Sequence, residues 1–222
     1  MRLLYHLWLS PLARKVRVVL KEKNLDFTMK VEKVWERRPE FLALNPAGDV
    51  PVLIEPDGTV LAEATAIAEF LDEVYREKLL LGLNPIDRAE ARRLCAWFDG
   101  KMNREVTDLL VGEKMMKRFL GLGEPNSSAI RAGKANLGYH LDYMGFLVER
   151  RRWLAGDHFS LADITAAAHL SALDYIGDVP WDDHEPAKEW YARIKSRPSF
   201  RPILADHIPG APPPKHYADL DF

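Results

Sequence analysis

Leu3 to Leu9 is a short apolar and aromatic run that stops at Ser10-Pro11. It predicts a buried strand, then a helix with Ser10 as N-cap and Pro11 at its first position. From Arg14 to Lys23 the apolar residues Val16, Val19 and Leu20 share one helical face. Arg14, Lys15, Arg17, Lys21 and Lys23 are expected to face water, and Asn24 to stop the helix. Asp26 to Val34 alternates polar and apolar residues, the mark of a second strand. Val50–Glu55 and Val60-Leu61 flank Asp57-Gly58, a hairpin signal. Glu63 to Tyr75 returns to helical spacing through Ile67, Phe70, Leu71 and Val74. The predicted order is strand-helix-strand, then hairpin-helix, within about 75 residues.

After Leu79-Leu80-Leu81-Gly82 the pattern becomes helical almost throughout. Helices are predicted over 86–119, 127–152, 161–176 and 185–196, with Gly121, Gly123, Pro125, Gly156 and Pro180 as breaks. Pro209-Gly210-Ala211-Pro212-Pro213-Pro214 fits neither a helix nor an inner strand and predicts an extended, polyproline-like arm. The expected organisation is an α/β domain over 1–80, an all-α domain over 81–205 and a Pro-rich tail over 206–222.

Composition narrows the class of protein. Across 222 residues, 47% hydrophobic and 29% charged content is that of a soluble globular chain. A formal net charge of −2 gives no overall field that would draw nucleic acid or an anionic membrane. Cys95 is the single cysteine, so no internal disulfide framework is expected, and a reducing cytoplasm suits it. The first residues do not read as a secretion signal, and no apolar stretch reaches the roughly 20 residues needed to span a bilayer. The seven histidines show no metal-ligand spacing, so no metal is expected. Cys95 lies in a helical segment without a neighbouring histidine and reads as a packed thiol rather than a nucleophile. Arg150, Arg151 and Arg152 with Arg131 and Lys134 suggest either a basic patch or a solvated helix end.

Three motifs carry a resemblance. Asn45-Pro46-Ala47-Gly48-Asp49-Val50-Pro51-Val52-Leu53 leads into the hairpin, Leu61-Ala62-Glu63-Ala64-Thr65-Ala66-Ile67 follows it, and Ser160-Leu161-Ala162-Asp163-Ile164 opens a helix. Together they resemble the glutathione-transferase superfamily over nearly the whole chain up to about residue 205. The resemblance implies a thioredoxin-like N-terminal domain beside an all-α C-terminal one. It implies a cis bond before Pro51, with Val50 offering backbone groups to the cysteinyl part of glutathione. Ser160 and Asp163 would form a reciprocal capping box.

The family's reaction needs glutathione bound and its thiol held as thiolate. By resemblance Ser10 stands where a hydroxyl would donate to that sulfur at the positive end of a helix. A plain N-cap needs the same residue at the same place, so both readings stay open. Glu63 matches the acid that takes the glutamyl amine, but Ala64 stands where the family has Ser or Thr for the glutamyl carboxylate. The missing hydrogen bond to a charged group is worth about 1.5–3 kcal/mol. Backbone amides at that helix start remain for the carboxylate. Glutathione is therefore a possible substrate or a vestigial ligand, and no resident cofactor is expected.

Other features suit binding. Trp35 lies among charges in Val34-Trp35-Glu36-Arg37-Arg38, and Trp with Arg is a common interface anchor. A Trp closing over a small ligand fits equally. Val111 to Phe119 places apolar and cationic side chains on one helix, as core or pocket wall. Asp219, Leu220, Asp221 and Phe222 end the tail in alternating acidic and apolar residues, either held away from the body or folded back on it. With Asp99-Gly100-Lys101, these features resemble a branch of the superfamily in alphaproteobacteria that binds filaments of the tubulin-like division protein FtsZ. That likeness implies a cytoplasmic homodimer at the division site, partner contacts at Trp35, Arg38 and the last four positions, and weak or no conjugation. The alternative is an active transferase using Ser10, with Val50, Pro51 and Glu63 holding the peptide.

Overall fold

A computed structural model describes residues 1–220 and 222, and Asp221 lies outside the described residues. The chain divides into two compact units, Met1–Leu80 and Leu81–Phe222.

The first unit runs β1 (Arg2–His6), α1 (Pro11–Glu22), β2 (Phe27–Val31), a 3-10 turn (Val34–Glu36), α2 (Pro39–Leu44), β3 (Val52–Ile54), β4 (Val60–Ala62) and α3 (Ala64–Val74). Four strands lie in the order β2-β1-β3-β4, with β1 and β2 parallel and the other pairs antiparallel. Leu4 and Tyr5 point to opposite faces, as strand alternation requires. Leu4, Val16, Leu20, Leu53, Ile67 and Leu71 are fully buried. Tyr5, Val50 and Val52 form a separate cluster with Phe41 of α2. That short helix was not expected between β2 and the hairpin.

The cations of α1 and of its C-cap, Lys23, depart from the expectation that they face water. Arg14, Lys15, Arg17 and Lys23 are all buried, and only Lys21 of the five is exposed. Their polar heads find partners while their stems pack. Lys23 Nζ donates to Asp72 Oδ1 at 2.6 Å and to the carbonyls of Tyr75 and Lys78, joining the end of α1 to the end of α3. Arg14 Nε donates to the Trp8 carbonyl at 2.6 Å. Apolar periodicity located the helix but not the depth of its polar face.

In the second unit α4 (Pro85–Ala96) continues without a break into π-type winding over Trp97–Thr107. After it come α5 (Asp108–Val111), another π stretch (Gly112–Met116) and α6 (Lys117–Leu120). Then follow α7 (Ser127–Val148), α8 (Leu161–Tyr175), α9 (Glu185–Lys195) and α10 (Arg201–Leu204). Every residue of α8 is buried, so it forms the axis of this unit. At Gly133 an added Cβ would fall 2.9 Å from Leu110, so the missing side chain lets α7 close on α5. No helix among the described residues is long and apolar enough to cross a membrane.

Candidate functional site

The register of the sheet gathers the predicted site. Tyr5 pairs with Val52, and Val52 with Ala62, so these three residues make one row across β1, β3 and β4. Ser10 follows the end of β1, Val50 and Pro51 precede the start of β3, and Glu63 and Ala64 follow β4. All leave the sheet at the same end. β2 is parallel to β1, with His6 opposite Val31, so Trp35 and Arg38 emerge there as well. Four strands at about 4.8 Å spacing place these groups along an edge of roughly 15 Å.

Ser10 has extended backbone (φ −73°, ψ 112°), and its Oγ accepts from Ala13 N at 3.2 Å. It is an N-cap, with Pro11 at the first turn as the sequence predicts. Accepting that bond does not use the hydroxyl proton, which remains available for donation. Val50-Pro51 is a cis bond, and both residues are buried.

Glu63 changes the reading of the glutamyl turn. It caps α3 from a left-handed backbone (φ +74°), and its carboxylate oxygens accept from Thr65 N at 3.0 Å and Ala66 N at 2.8 Å. These are the amides expected to receive a ligand carboxylate, and an internal carboxylate already sits on them. Ala64 is fully buried, so a hydroxyl there would start without solvent. A ligand anion at this turn must displace or share with Glu63.

Trp35 lies on the 3-10 turn, 39% exposed, with Lys33 and Glu36 paired at 3.2 Å beside it. Arg38 is not a free anchor. Its Nη2 and Nε fork onto buried Glu32 at 2.6 and 3.1 Å, which raises the guanidinium pKa above its ordinary value. Arg38 therefore neutralises a buried carboxylate.

In the second unit the tail is folded back rather than held away. Ile208 N donates to Tyr175 Oη at 2.8 Å, and that hydroxyl donates to the Ala211 carbonyl at 2.9 Å. Tyr217 is fully buried and donates to the Ile203 carbonyl at 3.0 Å. Asp219 is exposed, Leu220 and Phe222 are half-buried, and the predicted contact Asp221 lies outside the described residues. The sequence reading leaves both positions of the tail open and gives Tyr217 no anchoring role. A signal was available in Asp174 and Lys195, whose charges on the buried faces of α8 and α9 demand partners.

The remaining candidates resolve simply. Cys95 is buried and accepts from Thr165 Oγ1 at 3.4 Å, a packed thiol. Lys134 pairs with Asp178 at 3.1 Å, and about 24 Å of helix rise separates it from Arg150, so the five cations do not form one patch. Met115 is buried, while Lys114, Met115 and Arg118 line one wall of a cleft of about 480 Å³ facing Pro212–Pro214. A second cleft, about 560 Å³, lies between Trp97, Lys101 and Glu105 on one side and Tyr139, His140 and Tyr143 on the other. The indole N–H of Trp97 donates to His140 Nδ1 at 3.0 Å, and burial holds the His140 pKa below its ordinary value. Among the described residues no three His, Cys, Asp or Glu side chains are grouped to hold a metal.

The sheet, the cis bond, the acid at the start of α3 and the capping box that buried Ser160 and Asp163 form at the start of α8 define a glutathione-transferase scaffold. Models of the glutathione S-transferase N-terminal and C-terminal domains match residues 9–74 and 129–193. The chain belongs to the glutathione S-transferase family. Across 224 residues it is 51% identical to FtsZ-localized protein A of Caulobacter vibrioides (strain NA1000 / CB15N), covering 100% of this chain and 98% of that protein. The solved structure of FzlA from C. crescentus superposes with a TM-score of 0.97, covering 100% of this chain and 99% of that one. A crystal structure of a glutathione S-transferase from Rhodospirillum rubrum F11 is 59% identical, with a TM-score of 0.98 and full coverage of both chains.

Proposed function

We propose that this chain is a homodimeric binding protein of bacterial cell division that docks on FtsZ filaments and conjugates glutathione weakly or not at all. The observation that carries the reading is the 51% identity to FtsZ-localized protein A over the whole chain. The self-capped turn supports its second half, because Glu63 places a negative charge on the amides that a glutamyl carboxylate would need. Trp35, exposed at the same end of the sheet, is a fitting anchor for a protein surface. A two-fold dimer carries each contact twice and can bridge neighbouring protofilaments. Glutathione is then a vestigial ligand, the protein needs no resident cofactor, and it works in the cytoplasm at the division site.

Pelleting with polymerised FtsZ tests the proposal. Co-sedimentation at micromolar protein is expected, and its absence overturns the reading. One observation favours a second reading, an active transferase: the Ser10 hydroxyl proton is not used in capping α1. Calorimetry with glutathione decides it. A Kd below about 1 mM with turnover of a model electrophile restores the enzyme.

A further inference from the structure

The tail from Ile208 onward is held at both ends and in the middle. Ile208 and Ala211 are tied to Tyr175, Tyr217 is buried against the same ring at 5.1 Å, and Lys195 Nζ donates to the His216 carbonyl at 3.0 Å. His216 Nε2 lies 3.0 Å from Asp174 Oδ1, which also accepts from the Trp181 indole N–H at 2.8 Å. Beyond the last turn, the ring of Phe222 sits 3.7 Å from Lys195 Nζ and meets Trp181 edge-on at 5.1 Å. Tyr191 and His216 complete the surround, at 6.0 and 6.2 Å between ring centres. An aromatic ring over a desolvated ammonium and between other rings is a specific seat. Asp219 and Leu220 lie between the buried Tyr217 and this seat, with Asp219 exposed and Leu220 half-buried.

We propose that Phe222 is a positioning residue, seated among Trp181, Tyr191, Lys195 and His216, and that the tail meets its partner in this docked form with Asp219 and Leu220 as the contact. The proposal rests on the reading that the chain binds FtsZ filaments. A tail already ordered loses little further freedom on binding, whereas a free arm must be ordered in that step. The apparent affinity then scales with the fraction of molecules whose tail is docked. Lys195 is itself fully buried and cannot touch a filament, which separates positioning from contact.

Two measurements on the full chain test this. In hydrogen exchange, the amides of Tyr217 and Asp219, which donate to the carbonyls of Pro214 and His216, are expected to be protected. Phe222→Ala and Lys195→Met should each raise their exchange at least tenfold, while α8 amides stay unchanged and report an intact fold. Phe222→Tyr should restore protection. In FtsZ pelleting, Phe222→Ala and Lys195→Met are expected to weaken binding by a similar factor, about tenfold at a docked fraction near one tenth. Normal binding by Lys195→Met alongside lost binding by Phe222→Ala would make Phe222 a direct contact and overturn the proposal. Unchanged exchange in both variants overturns it as well. If the wild-type protein does not pellet, the filament reading fails, and the exchange data alone decide whether Phe222 seats the tail.

Discussion

Asp163 and Glu63 are both carboxylates that cap a helix start, yet one is sealed in the second unit and the other is open at the end of a sheet. Asp163 is fully buried and accepts from Leu154 N, Ser160 N, Ser160 Oγ and the Trp190 indole N–H, all at 2.9–3.0 Å. It ties a loop, the start of α8 and α9 into one network. Glu63 is exposed and serves the first turn of its own helix. The same chemical device is thus scaffold in one place and, in the other, a local cap on a surface where a ligand would bind. Burial and the number of separate elements joined, rather than the motif, decide which.

The largest effect expected is at the sealed cap. Asp163→Ala strands several buried donors and should cost about 3–4 kcal/mol in denaturant melts. Glu63→Ala loses an exposed cap and should cost about 1 kcal/mol. Equal losses would erase the distinction. Asp163→Asn keeps one oxygen and should fall between them. Burial, the largest influence, holds the Asp163 carboxyl above the ordinary 3.8 despite its four donors. The folded chain therefore binds this proton before the unfolded chain does. The advantage of wild type over Asp163→Asn should grow as pH falls through the folded pKa toward 3.8 and level off below it.

The open end of the sheet should instead show its value in binding. Trp35→Ala is expected to weaken FtsZ pelleting by about thirtyfold, or about 2 kcal/mol, with the melt unchanged. A shifted melt with normal pelleting would make Trp35 a packing residue. Ala64→Ser tests the same end for a small ligand. Supplying the hydroxyl should improve glutathione affinity by about tenfold, the low end for a bond to a charged group, because Glu63 still holds the neighbouring amides. A gain beyond a hundredfold would mean that the Glu63 carboxylate yields readily and that position 64 alone limits the site.

Local chemistry was legible in the sequence. Ser10-Pro11, Asp57-Gly58 and the Ser160–Asp163 box each specify their turn or cap through residues within three positions, and each stands where expected. The cis bond before Pro51 followed from the family resemblance. Features requiring distant partners were not legible. Nothing near Lys23 shows that Asp72 and two carbonyls await it, and nothing near Tyr217 names Ile203 or Tyr175. Glu63 is intermediate. The sequence exposed the missing hydroxyl at 64, but only the left-handed backbone at 63 shows the acid turned onto its own amides.

Ser10 gives the smallest expected change and the sharpest division between cap and catalyst, because a single oxygen can serve both. Ser10→Ala removes the acceptor for Ala13 N and should cost about 1 kcal/mol, with FtsZ pelleting unchanged. It also removes the hydroxyl donor, so any loss of turnover with glutathione in this variant is ambiguous between a loosened helix start and a missing donor. Ser10→Gly separates them. Glycine at an N-cap costs only about a few tenths of a kcal/mol relative to serine, so stability should stay close to wild type. It carries neither a hydroxyl nor a charge, so turnover that depends on Ser10 as donor should be lost without any new repulsion of the thiolate. If Ser10→Gly keeps both stability and turnover, the residue acts only by shaping α1. If stability holds while turnover is lost, this end of the sheet retains the family's thiol chemistry beside Glu63, and the open carboxylate weakens the peptide's binding without disarming its sulfur.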